Sequence, residues 1–224
     1  MHKLDRNNIE APQCLSEFDY STQNWDDFGG ECKKQLRAVL VQMQGIPGVT
    51  TEEASEYGVR CAYCEDAIHH AGHIEHFRRK NQQHFPELTF EWSNLFLACG
   101  SNDHCGHYKD RSRAEAYNPD TLIKPDIEDP EDYLYFHSSG EIRSRADIDT
   151  NKEIKANETI RVFGLDKGAL PSNRARAVQP YKKVLEEIAD WEPELITEYI
   201  QEEIEKTQWQ AFSTTIKHFL AGVC

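Results

Sequence analysis

No run of apolar residues in this chain approaches the ~20 that a bilayer-spanning helix requires, and the mean hydropathy of −0.73 excludes a membrane-embedded core. Positive charge is scarce. The 25 Lys and Arg stand against 39 Asp and Glu, for a formal net charge of −14. The chain as a whole is therefore repelled by nucleic acid, and any such role needs a local cationic site or a basic partner. The opening residues, MHKLDRNNIEAPQC, lack both the basic and the apolar segments of a secretory leader. A cytoplasmic chain with no membrane partner is expected, its seven cysteines thiolates rather than disulfides. Internal repeats and low-complexity tracts are also missing.

What is present suffices for one generous domain or a small catalytic core with a helical lobe, since the chain has 224 residues. Four parts are expected. Residues 1–57 hold an irregular arm with Phe18, Tyr20, Trp25 and Phe28, then an amphipathic helix carrying Cys32, Leu36, Val39, Leu40 and Met43 on one face and stopping at Gly45-Ile46-Pro47-Gly48. Residues 58–118 concentrate Cys and His. Residues 119–170 read as an acidic linker, a hairpin from Tyr133 to Arg143 turning at Ser138-Ser139-Gly140, and a helix capped by Asp149-Thr150 and ended by Gly164. Residues 171–224 carry three apolar stripes at helical spacing, with Pro180 and Pro193 starting or kinking helices.

The chemistry falls in 58–118. Cys61-Ala62-Tyr63-Cys64 is a spacing that brings two thiolates to one tetrahedral metal from a single turn, and Cys99 and Cys105 supply a second pair. A four-thiolate structural zinc site is the economical reading, with His104 an alternative ligand. Cys14, Cys32 and Cys224 have no partner at ligand spacing and are expected to be ordinary buried residues. Between the pairs, Gly72–Phe77 and Phe90–Leu97 alternate as strands, and Gly106–Arg111 opens a helix. His69, His70, His84, His137 and His218 read as surface or packing residues, and Phe90 and Trp92 as core. His73 shares a strand face with Glu75.

These residues in this order resemble the HNH endonucleases. Glu75-His76, Asn94-Leu95 and His107 match the three elements of that family, and the cysteine pairs match the zinc knuckles of its cysteine-bearing members. Over residues 58–113 the segments CAYCE, HIEHF, FEWSNLFLAC and CGHYKD are similar to the PtuB branch, the nuclease subunit of Septu-type and some retron antiphage systems. Arg79 stands where the family loop usually has proline, and the closing histidine is displaced by one residue, which makes His104 a rival to His107.

The resemblance implies an α+β fold, a zinc-stapled ββα-metal core flanked by an N-terminal helix and a mostly helical C-terminal region. It implies a metal-dependent endonuclease acting on DNA, or on RNA such as tRNA. His76 would be the general base, titrating near neutrality, Glu75 and His107 would hold Mg²⁺ or Mn²⁺, and Asn94 would orient His76 through the loop. Alternation points Glu75 and His76 to opposite faces of a strand, so their joint action needs a bent strand end or an ion at its rim. Arg78, Arg79, Lys80, Lys109, Arg111 and Arg113 would supply the local basic patch for nucleic acid. The implied partners are an ABC/SMC-like ATPase of the PtuA type and, in retron versions, a reverse transcriptase with its RNA–DNA product. The aromatic arm and the C-terminal helices are the candidate docking surfaces. The alternative is a non-catalytic zinc-ribbon binding module.

Overall fold

The computed structural model describes residues 1–46, 59–68 and 72–222; the expected helix stop at Pro47-Gly48, His69, His70 and Cys224 lie outside them. After an N-terminal arm, helix α1 (Gly30–Gln44) buries Leu36, Leu40 and Met43 of the expected stripe; Cys32 and Val39 are half-buried, and Val41 is buried in addition. Gly45 ends it, donating its N–H to the Val41 carbonyl.

Strands β1 (His73–His76) and β2 (Leu95–Ala98) pair antiparallel, His73 opposite Ala98 and His76 opposite Leu95. The second strand is shorter than its apolar run, because Trp92–Asn94 turns as a 3-10 helix before the ladder begins. Helix α2 (Cys105–Lys109) follows. The order strand, loop, strand, helix is the expected one. The α1 helix packs on β2, and its last side chain completes the sheet edge. Gln44 Oε1 accepts from the Leu97 N–H at 2.7 Å, and its Nε2 donates to the Leu97 and Arg60 carbonyls at 3.0 and 2.9 Å.

A second hairpin, β3 (Leu134–Phe136) and β4 (Ile142–Ser144), turns through Ser138-Ser139-Gly140 as its sequence indicates. Helix α3 (Thr150–Phe163) starts at Asp149, whose carboxylate accepts from the Asn151 and Lys152 N–H groups, and ends at Gly164 in the left-handed region at φ 58°. It lies on α2 and β4. The Phe163 ring stacks on Tyr63 at 4.1 Å, so the helix is riveted to the first cysteine turn.

The remaining chain forms α4 (Leu170–Glu187), α5 (Pro193–Thr207) and α6 (Ser213–Ala221). Pro193 opens α5 where its missing N–H costs nothing, while Pro180 sits inside α4. Ile200, Ile216 and Leu220 form a small separate core. The principal core runs without a break from the arm through the cysteine turns to the hairpin and α3. The fold is thus α+β, with two small antiparallel sheets among the described residues.

Cys14 and Cys32 correct the sequence reading. They are disulfide-bonded, pinning the arm to the first turn of α1. Eighteen residues apart in sequence, they show no ligand spacing; the return of the arm along α1 is what pairs them.

Candidate metal centre and the histidine faces of the first strand

The first cysteine turn is held by a bridge between Arg60 and Ala67, by the Cys61 N–H on the Asp66 carbonyl, and by the Ala62 N–H on the Leu97 carbonyl. Glu65, just past Cys64, adopts φ 66°, which lets the chain reverse within the turn. Its buried carboxylate accepts from Thr214 N and Oγ1 at 3.0 and 2.6 Å, tying the turn to α6. The second pair flanks the end of β2: Cys99 follows the strand and Cys105 opens α2 at φ 63°.

All four sulfurs lie within 4.8 Å of one another. Cys61 to Cys105 is 3.7 Å and Cys64 to Cys99 is 3.9 Å. A tetrahedral zinc with Zn–S bonds of about 2.3 Å has sulfur–sulfur edges of about 3.8 Å, so the donor set fits Zn²⁺ and leaves no position for water. The Cys99 N–H points at Cys61 Sγ at 3.3 Å, and His104 Nδ1 lies 3.3 and 3.5 Å from the sulfurs of Cys105 and Cys99. His104 is therefore placed to support the thiolates rather than to replace one. Burial pushes the Cys64 and Cys105 thiols up, whereas hydrogen bonds from Cys105, Cys61 and Cys64 pull Cys99 down.

One side chain here was not foreseen. Arg174 of α4 is fully buried, donates to the Leu165 carbonyl at 2.7 Å, and leaves Nε and Nη2 without a partner. Burial lowers its pKa, and the charges on Cys64, Glu65 and Cys105 act against that. Four thiolates on Zn²⁺ carry a net charge of −2, which a buried guanidinium offsets.

On β1 the side chains alternate. Glu75 faces α2, with Oε2 2.9 Å from His73 Nε2 and Oε1 2.9 Å from Lys109 Nζ. The His73 ring stacks on His107 at 4.0 Å. Gly106 is obligatory because a Cβ there would collide with the Glu75 carboxylate. Burial pushes the Glu75 pKa up, but the Lys109 charge and the His73 and Lys109 contacts carry it down to about 2.

His76 points the other way. Its Nε2 is 3.0 Å from the Thr89 carbonyl, the Trp25 ring meets it edge-on at 4.4 Å, and it is 4% exposed. Asn94 fixes the intervening loop: Oδ1 accepts from the Arg78 N–H at 2.7 Å, and Nδ2 donates to the Arg78 and Leu88 carbonyls at 3.0 and 3.1 Å. That is the geometry of a loop-holding side chain. Burial, then the charge of Lys80, lowers the His76 pKa to about 4, the Thr89 bond opposing; the ring does not titrate near neutrality as the sequence reading expects.

Three further expectations need correction. Among the described residues the four cysteines are the one group of three or more His, Cys, Asp or Glu placed to hold a metal ion. His73 contacts both Glu75 and His107, the Glu75 carboxylate is already paired with Lys109, and His76 points to the other face, so these side chains as arranged do not fit a divalent-cation shell that His76 could share. Lys109 is not a nucleic-acid contact. It is 1% exposed, its ammonium bonded to the His76 carbonyl at 2.9 Å and to Asp110 at 2.8 Å as well as paired with Glu75. Nor do Arg78 and Arg79 form an open patch. Arg78 pairs with Asp120 over the Phe85 ring, and Arg79 with Asp110 and the Lys109 carbonyl over Tyr117. Lys80 is half-buried; Arg111, lying over the Tyr108 ring, and Arg113 are exposed.

A buried neutral histidine makes stability fall as pH is lowered. His76 at about 4 and His2 at about 3, the latter lowered first by burial and then by Arg60, both lie below the ordinary 6.5. The unfolded chain binds the extra protons below 6.5, so this contribution is complete above 6.5 and lost towards the folded values. His76 alone is expected to cost about 2 kcal/mol between pH 6.5 and about pH 5. Urea melts of parent and His76→Asn across that window check it: the parent curve declines and the variant flattens. Parallel curves would remove His76 as the cause.

No family model matches the chain, and no curated protein matches it.

Proposed function

We propose that this chain is a nuclease of the HNH type that hydrolyses phosphodiester bonds of nucleic acid, with His76 as the general base. The observation that carries this reading is the bond between His76 Nε2 and the Thr89 carbonyl on a loop pinned by Asn94. With Nε2 donating to that carbonyl, Nδ1 is left as the acceptor that takes a proton from the attacking nucleophile. The neutral imidazole set by burial is the protonation state such a step needs. The four-cysteine centre holds the strands and α2 in place and takes no part in the chemistry.

Trp25 covers His76, so a phosphate reaches the imidazole only when the indole moves aside. This suits an effector kept closed until a partner opens it, and supports the expectation of an ATPase subunit working with this chain. The same cover, together with the commitment of Glu75 to Lys109, favours the second reading, a binding module that keeps the shape without activity.

The test is cleavage of DNA and RNA by the chain co-purified with its genomic neighbour, with Mg²⁺, Mn²⁺ or chelator. His76→Ala is expected to lower the rate by about a hundredfold or more while leaving the zinc content unchanged. A 5′-phosphate and 3′-hydroxyl would indicate attack by water, and a cyclic phosphate attack by a ribose 2′-OH. An activated complex that cuts nothing, or a His76→Ala complex as fast as the parent, overturns the nuclease reading in favour of the binding module.

A further inference from the structure

A local exception to the acidic balance lies on α1, at cations that the sequence does not single out. A pocket of about 390 Å³ opens between the N-terminal half of α1 and the start of β1, walled by Trp25, Lys33, Lys34, Arg37, His73 and Ile74. Its volume falls in the range of small-ligand sites, about 300–1,000 Å³. Gly30, Lys33, Lys34 and Arg37 stand at i, i+3, i+4 and i+7 on α1, so the helix turns one cationic face into the cavity. Arg37 is anchored there, its Nη1 donating to the Gly72 carbonyl at 3.3 Å. The Lys33 ammonium stands 5.6 Å from the Trp25 ring centre. The nearby carboxylate of Glu31 lies 3.7 Å from Lys34, with both side chains more than two-thirds exposed, a loose pair that an incoming anion can displace.

Two features link this pocket to β1. Trp25 is at once its aromatic wall and the cover over His76. His73 lines it while contacting Glu75 and His107, and its Nδ1 is buried without a partner. From the cavity, its cationic face and its position against both histidines, we infer that it is a subsite for one unpaired nucleotide of a nucleic-acid strand. The phosphate would be held by Lys33, Lys34 and Arg37, and the nucleoside would pack on Trp25 and Ile74. The inference rests on the nuclease reading, and it deepens it: the substrate presents a single-stranded or flipped-out nucleotide beside the scissile phosphate, and seating that nucleotide bears on the indole that closes His76.

The test measures binding rather than cleavage. Fluorescence anisotropy follows labelled single strands of DNA and RNA, and the matching duplexes, on the full-length chain with its partner, in a His76→Ala background so that nothing is cut. The double variant Lys33→Glu/Lys34→Glu is expected to weaken single-strand binding about tenfold or more. It should also reduce the slope of log K against log salt by about 1.4, or about 0.7 per lost phosphate contact on a single strand. The duplex should bind more weakly than either strand. Arg143→Glu/Lys167→Glu, a reversal of two exposed charges away from α1 and from the C-terminal helices, should change neither quantity. Equal effects of the two double variants, an unchanged salt slope, or a preference for duplex overturns the subsite. If His76-dependent cleavage persists alongside such a result, the pocket inference fails and the nuclease reading stands. If the parent complex neither binds nor cuts nucleic acid, both fall.

Discussion

Replacing Cys61 and Cys64 by serine, or stripping the protein with a strong chelator, is expected to release one zinc per chain and to lower the melting temperature by tens of degrees. Structural zinc contributes about 10–16 kcal/mol of apparent binding free energy, and in a chain of this size each kcal/mol moves the midpoint by roughly 2–4 °C. The loss has a structural route. Cys61 and Cys105 are fully buried, and at the sulfurs the 61–64 turn meets a segment distant in sequence, which runs from the end of β2 to the start of α2. Without a cation those segments lose the bonds that join them at the sulfurs, and the backbone of Cys105 remains in the left-handed region with less to enforce it. Metal analysis of the purified chain, with near-ultraviolet circular dichroism before and after chelation, checks this. A purified chain that holds no zinc, or one whose melting temperature neither chelation nor the serine replacements lower, would show that the sulfurs merely pack.

The second large effect is expected at Lys109. Lys109→Met should destabilise the chain by about 3–5 kcal/mol, because removing one partner of a buried ion pair leaves the other charge uncompensated. The orphan is Glu75, buried under Gly106 and reached by His73 alone. In the parent, Glu75 is held at about 2, below its ordinary 4.5, so the pair stabilises above pH 4.5 and that stabilisation fades as pH falls towards 2. In Lys109→Met the carboxyl pKa moves up instead, so the penalty is largest at alkaline pH and shrinks on acidification. The double variant Glu75→Gln/Lys109→Met should recover most of the loss, since a neutral amide replaces the unpaired charge. Denaturant melts of the four proteins at two pH values give the coupling directly. Additive losses with no pH dependence would mean that Lys109 acts by packing alone.

Spacing and periodicity carried much of this structure. The cysteine pairs were legible because a two-residue gap and a tight turn are local constraints, and α1, the 134–144 hairpin and α3 were legible because their stripes, turn and caps lie within a few residues of one another. Asn94 was legible through the resemblance, and its three backbone bonds fit the loop-holding role. What escaped is non-local. Nothing near Cys14 announces Cys32, and a lysine beside Asp110 reads as surface charge until the fold sets Glu75 above it. Arg174 sits among ordinary helix positions, and its burial depends on α4 packing behind the cysteine turns. The α1 cations were read past for a related reason: periodicity marks the apolar face of a helix, while the value of the opposite face depends on what lies across from it. The stacking of Tyr63 on Phe163 likewise joins residues a hundred positions apart.

Trp25 lies within the stretch of chain closed off by the Cys14–Cys32 crosslink. Any opening motion at His76 is therefore a swing on a short leash, with both ends of the loop fastened to α1, and the indole can tilt or slide but cannot leave. Reduction would lengthen that leash, and the stretch around Trp25 would then rely on the seating of Leu15, Phe18, Trp25 and Phe28 in the core.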